Sequence, residues 1–262
     1  MLFWLALALT SCPPAIGQTP YWQQQLQYTL DVTLNDQDHS LDAFLKLQYE
    51  NHSPDTLRFI WFHLWPNAYK NDRTAFSEQL LRNNNTSFYF SDKGQRGYIN
   101  RLDFRANNNT CRMEDHPTFI DIIKVYLPEP LAPGKDIRIT TPFHVQLPEV
   151  FSRSGHKGQT YLIAQWYPKP AVYDKEGWHP MPYLDQGEFY AEFANYDVRI
   201  TLPRNYVVAA SGSLETTEEK KWLIEKAIDP ALSPLKTAPA AKSGKTTAPA
   251  KKIIPSDAAT KT

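Results

Sequence analysis

From Leu26 to Leu34 the residues alternate without a break: Leu26, Tyr28, Leu30, Val32 and Leu34 are apolar, and the residues between them are polar. A period of two over this length is that of a strand with one face buried, because successive side chains of an extended chain point to opposite sides. A helix would scatter the same apolar residues around its axis. The pattern returns at Leu41, Ala43, Leu45, Leu47 and Tyr49, and the polar run Asp36 to Ser40 suits a hairpin turn between the two strands. Leu57 to Trp65 is apolar on both faces, as in a central strand covered on each side. Ile120 to Leu127, Ile137 to Leu147 and Tyr196 to Leu202 read as further strands, the last with Tyr196, Val198, Ile200 and Leu202 inward. Leu131-Ala132-Pro133-Gly134 is a turn in which proline sets φ and glycine is free to turn positive.

Helix signals are few. Thr74 can cap a short helix to Arg82 with Phe76 and Leu80 on one side, and Glu215 to Lys226 has acids early and lysines late. The chain is therefore expected to be all-β, a sandwich or saddle-like domain over 21–225 with a few short helices. After Trp222 there are no more aromatics, and Ala, Lys, Pro and Thr dominate 226–262, which reads as a flexible, disordered linker.

At the other end, Leu2 to Leu9 is an apolar run much shorter than the roughly 20 residues of a spanning helix, and of the length found in a secretory signal. Cleavage after Gly17, giving a signal peptide over 1–17, is preferred to a lipoprotein signal ending at Ser11. The latter would leave Cys12 lipidated and is the one route by which a membrane becomes a partner. Either reading makes the protein exported, to the periplasm, the outer membrane or the exterior.

Charge and motifs exclude several functions. Lys and Arg total 28 against 28 Asp and Glu, so no net charge draws the chain to nucleic acid. No glycine-rich phosphate loop occurs. None of the seven histidines belongs to an HExxH sequence, and with two cysteines, Cys12 and Cys111, there is no cysteine zinc cluster, so no metal is expected in this chain. The acidic set Asp174, Glu176, Asp185, Glu188, Glu192 and Asp197 is crowded enough for a carboxylate pair of the glycosidase kind, a distant possibility beside ordinary surface carboxylates. Dense aromatics beside prolines, Trp166-Tyr167-Pro168 and Trp178-His179-Pro180, suit either sugar stacking or a seam against another domain.

The order of several segments resembles the aminopeptidase N family of zinc metallopeptidases, in its secreted bacterial branch. These are Tyr28 to Leu34, Leu41 to Tyr49, Asn51-His52-Ser53-Pro54, Phe62 to Tyr69 (FHLWPNAY), Leu131 to Gly134, Ala164-Gln165-Trp166-Tyr167-Pro168, Tyr196 to Pro203 and Val207 to Gly212. The resemblance covers about Tyr21 to Trp222. It implies an N-terminal β-saddle that walls one side of an active-site cleft, touches peptide substrate, and packs on a catalytic domain that carries zinc. That domain's HExxH and GxMEN sequences are absent here, so the chain alone is expected to be inactive and to need a missing or separately encoded catalytic partner. The resemblance also places Gln165 and Tyr167 at the substrate's free amine, with tyrosine where the family usually has a carboxylate or amide. Phe62, Trp65, Trp166 and Trp178 are the expected interface with the catalytic domain. The competing reading is a free-standing secreted β-sandwich that binds glycan or peptide through surface aromatics.

Overall fold

A computed structural model describes residues 21–228 together with Thr260–Lys261. The signal segment with Cys12, and residues 229–259 and 262 of the expected linker, lie outside the described residues, while 226–228, expected to begin the linker, instead end a helix. The fold is all-β. Strands β1 (Gln25–Asn35) and β2 (Ser40–Glu50) form the expected hairpin, closed by an Asn35 side chain that accepts from the amides of Gln37 and Asp38. β3 (Leu57–His63) follows, then a 3-10 turn (Trp65–Tyr69) and helix α1 (Ala75–Arg82), whose cap Thr74 accepts from Ser77 N at 3.2 Å. Short strands β4 (Tyr98–Asn100), β5 (Arg105–Ala106), β6 (Asn109–Thr110) and β7 (Arg112–Asp115) lead to the long β8 (Ile122–Leu131) and β9 (Asp136–Gln146). Gly134, with φ 68°, makes the turn between these two. Hairpins β10 (Gly155–Lys157) with β11 (Thr160–Leu162) and β13 (Val172–Asp174) with β14 (Gly177–His179) flank the two-residue β12 (Lys169–Pro170). β15 (Ala194–Pro203), helix α2 (Thr217–Ile228) and β16 (Thr260–Lys261) complete the described chain.

The larger sheet runs β16-β15-β1-β2-β9-β5-β6, with β4 also on β9, and the smaller runs β12-β3-β8-β7. β1 and β15 are parallel and the other pairings within the two sheets are antiparallel. The sheets pack through Leu26, Tyr28, Leu30, Leu45, Leu47 and Tyr49 on one side and Ile60, Phe62, Ile123 and Val125 on the other. A second core of Trp65, Tyr69, Phe76, Leu80, Phe88 and Tyr183 fastens α1 beneath one end of the sandwich.

Three expectations are corrected. The strand expected to reach Trp65 ends at His63, because a proline at 66 favours a turn rather than continued pairing. Phe62 and Trp65 are 0% and 1% exposed, so neither can present a surface to another domain: Phe62 lies between the sheets and Trp65 in the second core. Tyr196 and Val198 share the sheet's inner side as expected, in register with Tyr28 and Leu30, yet they are 49% and 42% exposed. At this edge the smaller sheet leaves them half covered, with Tyr167 packed against Tyr196 at 6.1 Å.

Candidate functional site

The segment 163–170 crosses the end of the smaller sheet. Its last residues form β12, which sets Lys169 opposite His63 and Pro170 opposite Phe62. Two turns of sequence logic bring the site together here. Prolines at 168 and 170 hold the backbone extended, and Gln165 takes a left-handed conformation (φ 55°) that redirects the chain at its start. Gln165 then accepts from Lys169 Nζ through its side-chain oxygen at 2.5 Å.

Around that contact the aromatic side chains are close. Lys169 Nζ lies 5.3 Å from the centre of the Trp65 ring and 4.9 Å from that of Tyr167, within cation–π range of both. Trp65 stacks on His63 at 4.5 Å and 11°. Its indole N–H donates to Met181 O at 3.1 Å, and Met181 N donates to His63 Nε2 at 3.0 Å. The next turn of the same segment is held by Asp121, which accepts from Tyr183 N at 2.6 Å, while Tyr69 donates to the Tyr183 hydroxyl at 2.7 Å. Tyr167 is buried and donates to Tyr196 OH at 3.0 Å, so its phenol is committed to the β15 edge.

Burial sets the charges. Desolvation, with Lys169 nearby as a lesser cause, lowers the His63 pKa to about 3, so its imidazole is neutral. Desolvation lowers Lys169 to about 8 and raises Asp121 to about 6. It also raises the Tyr167 phenol far above its ordinary range, with the Tyr196 hydroxyl adding to the effect. A cleft beside Gln165, lined by Trp65, Tyr69, Leu147, Ser154 and Tyr183 among others, has a volume of about 10 Å³, enough for roughly one water.

The other expected residues are dispersed. Trp166 is half-buried against the core, 5.9 Å from Phe143, and Trp178 is half-buried between Phe59 at 5.9 Å and Tyr173 at 4.8 Å. Both are packed on the sandwich, on different partners, and do not form one face. Of the acidic set, Asp174 has its oxygens on His179 (2.7 Å), Tyr190 (3.1 Å) and the Glu176 amide (2.8 Å), which braces the β13–β14 hairpin. Glu192 is buried, while Glu176, Glu188 and Asp197 are exposed. No group of three or more His, Cys, Asp or Glu side chains among the described residues is placed to hold a metal ion.

No family model matches the chain, and no curated protein does. Solved structures do. A mutant of a two-domain M1 zinc metallopeptidase bound to L-arginine superposes with a TM-score of 0.42 at 16% identity, over 74% of this chain and 36% of that one. The M1 zinc metallopeptidase from Deinococcus radiodurans gives 0.41 at 18% identity with the same coverages. The chain thus spans little more than a third of the length of the structures it matches. At that identity and that superposition these are likenesses, and they carry no activity across to this protein.

Lys169 and His63 were not among the residues singled out from sequence. The available signal was a lone lysine between two prolines in an otherwise apolar, aromatic stretch, Trp166 to Tyr173.

Proposed function

We propose that this chain is the non-catalytic N-terminal part of an exported zinc metallopeptidase of the aminopeptidase N type. In that role the sandwich walls one side of a substrate cleft and touches bound peptide, while zinc and the water-activating carboxylate belong to a separate catalytic part. The observation that carries the reading is the half-exposed inner side of β15, which Tyr167 covers only in part. Tyr196 and Val198 continue the buried row of the larger sheet and are left half in solvent, and Phe193, Val207 and Val208, in the segments before and after β15, are exposed as well (86%, 53% and 40%). Isolated soluble domains rarely leave such a run of apolar side chains unpaired, and a second folded body laid on it removes the exposure. The order of the resembling segments, Tyr28 to Gly212, supports the choice of that body. Export, by cleavage after Gly17 or by lipidation at Cys12, belongs to the same reading.

The experiment is co-expression with an HExxH-bearing catalytic segment encoded in the same genome, followed by size-exclusion chromatography. A stable complex that Val198→Asp disrupts, while the sandwich stays folded, supports the reading. A monomer that ignores the catalytic segment, and whose affinity is for glycans or peptides alone, favours the free-standing binding module.

A further inference from the structure

One long strand edge is open. β15 has ten residues and is paired along one side with β1, but on its far side, among the described residues, only Leu202 and Pro203 have partners, Lys261 and Thr260 of β16. A bare edge is a template for another strand, and it is usually kept from pairing by short length, proline, a bulge or charge of one sign. The other ends of the two sheets follow that rule. β6 and β12 have two residues each, β12 closing on Pro170, and β7 is the short, charged run Arg112-Met113-Glu114-Asp115. The open part of β15, residues 194–201, has neither proline nor bulge, and its two charges, Asp197 and Arg199, are of opposite sign. Where β16 does meet this edge, it meets it antiparallel.

The open stretch is also complementary to itself. Laid antiparallel on a copy of itself with Val198 opposite Val198, it sets Asp197 opposite Arg199 twice and Tyr196 opposite Ile200 twice. Opposite charges, and an aromatic against a β-branched side chain, are cross-strand pairs that favour a ladder. The faces match as well: Tyr196, Val198 and Ile200 are in line with Tyr28, Leu30 and Val32 on the inner side, and Asp197 and Arg199 lie on the outer side. Moving the centre by one residue sets Asp197 or Arg199 against its own copy, so charge selects this register. Both groups are available. Asp197 forms no ion pair among the described residues, and Arg199, its side chain 62% exposed, meets Asp31 through Nη1 at 3.1 Å. A guanidinium has five N–H donors, enough for a second carboxylate.

We propose that the open edge of β15 pairs with the same edge of a second copy of this chain, as an antiparallel ladder over residues 196–200 on a two-fold axis at Val198. The contact is isologous and closes on itself, so association stops at two copies. β16, already on the edge at Leu202 and Pro203, bounds the ladder at each end. A ladder this short buries less area than a permanent dimer needs, so the pairing is weak and dilution returns the monomer. It uses the strand's edge and its outer charges, whereas the seat proposed above is the strand's inner side, so the inference goes beyond that reading.

The test uses the purified chain alone, so that it succeeds or fails separately from association with a catalytic partner. Sedimentation equilibrium over a series of concentrations is expected to give a dimer that dissociates on dilution. Asp197→Arg and Arg199→Asp each set like charges opposite one another at both pairs, and each should raise the dissociation constant at least about tenfold. Both positions are exposed, and the pair with Asp31 that the second variant loses is a surface contact of little worth, so both variants should stay folded by circular dichroism. Mixed in equal amounts, the two variants again place opposite charges at both pairs. The mixture should therefore associate within about threefold of the unsubstituted chain. A monomer at every concentration, variants that dimerise as tightly as the unsubstituted chain, or a mixture no tighter than either variant alone would each overturn the proposal.

Discussion

Phe62 decides between two accounts of the same sequence, one that sets its ring at a domain seam and one that sets it between the two sheets. Its ring is fully buried, 4.7 Å from that of Phe104, and its neighbours in the core come from both sheets. Replacing it by alanine removes a whole aromatic ring from a close-packed interior and leaves a cavity that strands on either side cannot easily close. Substitutions of this kind cost about 3–5 kcal/mol. For a domain of this size that corresponds to a fall in melting temperature of roughly 6–20 °C. In urea, with a slope of about 2 kcal/mol per molar, it moves the midpoint by roughly 2 M. Phe44, on the outward face of β2 and 37% exposed, is the control, and Phe44→Ala should change stability by less than about 1 kcal/mol. The assay is urea unfolding of the isolated chain followed by fluorescence and circular dichroism together. A Phe62→Ala shift no larger than that of Phe44→Ala would refute the packing of the two sheets described above.

Further outcomes follow from local chemistry. Thr74 Oγ1 accepts from Ser77 N and donates to Ala68 O at 2.8 Å, so Thr74→Ala should cost about 1–2 kcal/mol in the same unfolding assay. His63 is neutral in the fold with a pKa of about 3 against 6.5 when unfolded, so its contribution is present above pH 6.5 and is lost as the pH falls toward 3. Asp121, raised from 3.8 to about 6, has the opposite sign: its contribution is full below pH 3.8 and is lost as the pH rises through 6. The two oppose each other between pH 4 and 6, and Asp121→Asn should uncover a rise of stability with pH over that window, by at most about 1.4 kcal/mol per unit. A pH profile for Asp121→Asn parallel to that of the unsubstituted chain would contradict the burial of one or both groups.

The strands were legible because a half-buried strand writes its geometry into the sequence. Leu26 to Val32 and Leu45 to Tyr49 alternate, and their apolar residues are the core of the larger sheet. The helix from Ala75 was legible for a similarly local reason, the capping threonine before an apolar pair at Phe76 and Leu80. Coverage by a second layer is not a local property. Tyr196 and Val198 carry the same period as Tyr28 and Leu30, and the period states which side of the sheet they occupy; whether another sheet lies over that side depends on the width of β12-β3-β8-β7. The reading of Phe62 and Trp65 as surface failed for the complementary reason, since a run that is apolar on both faces is covered on both faces here. Lys169 was missed because its surroundings are assembled from residues about a hundred positions apart, which meet only when β12 pairs with β3.

The central claim is that the inner side of β15 is the seat of a catalytic partner, and amide hydrogen exchange at that strand tests it most directly. In the free chain, Asn195 to Arg199 are exposed, and among the described residues β15 is paired on its far side only at Leu202 and Pro203. On addition of the HExxH-bearing segment, exchange across Tyr196 to Val208 should slow by at least about tenfold, with β2 and β9 in the middle of the sheet unchanged. Protection confined to other surfaces, or none at saturating partner, would contradict the account.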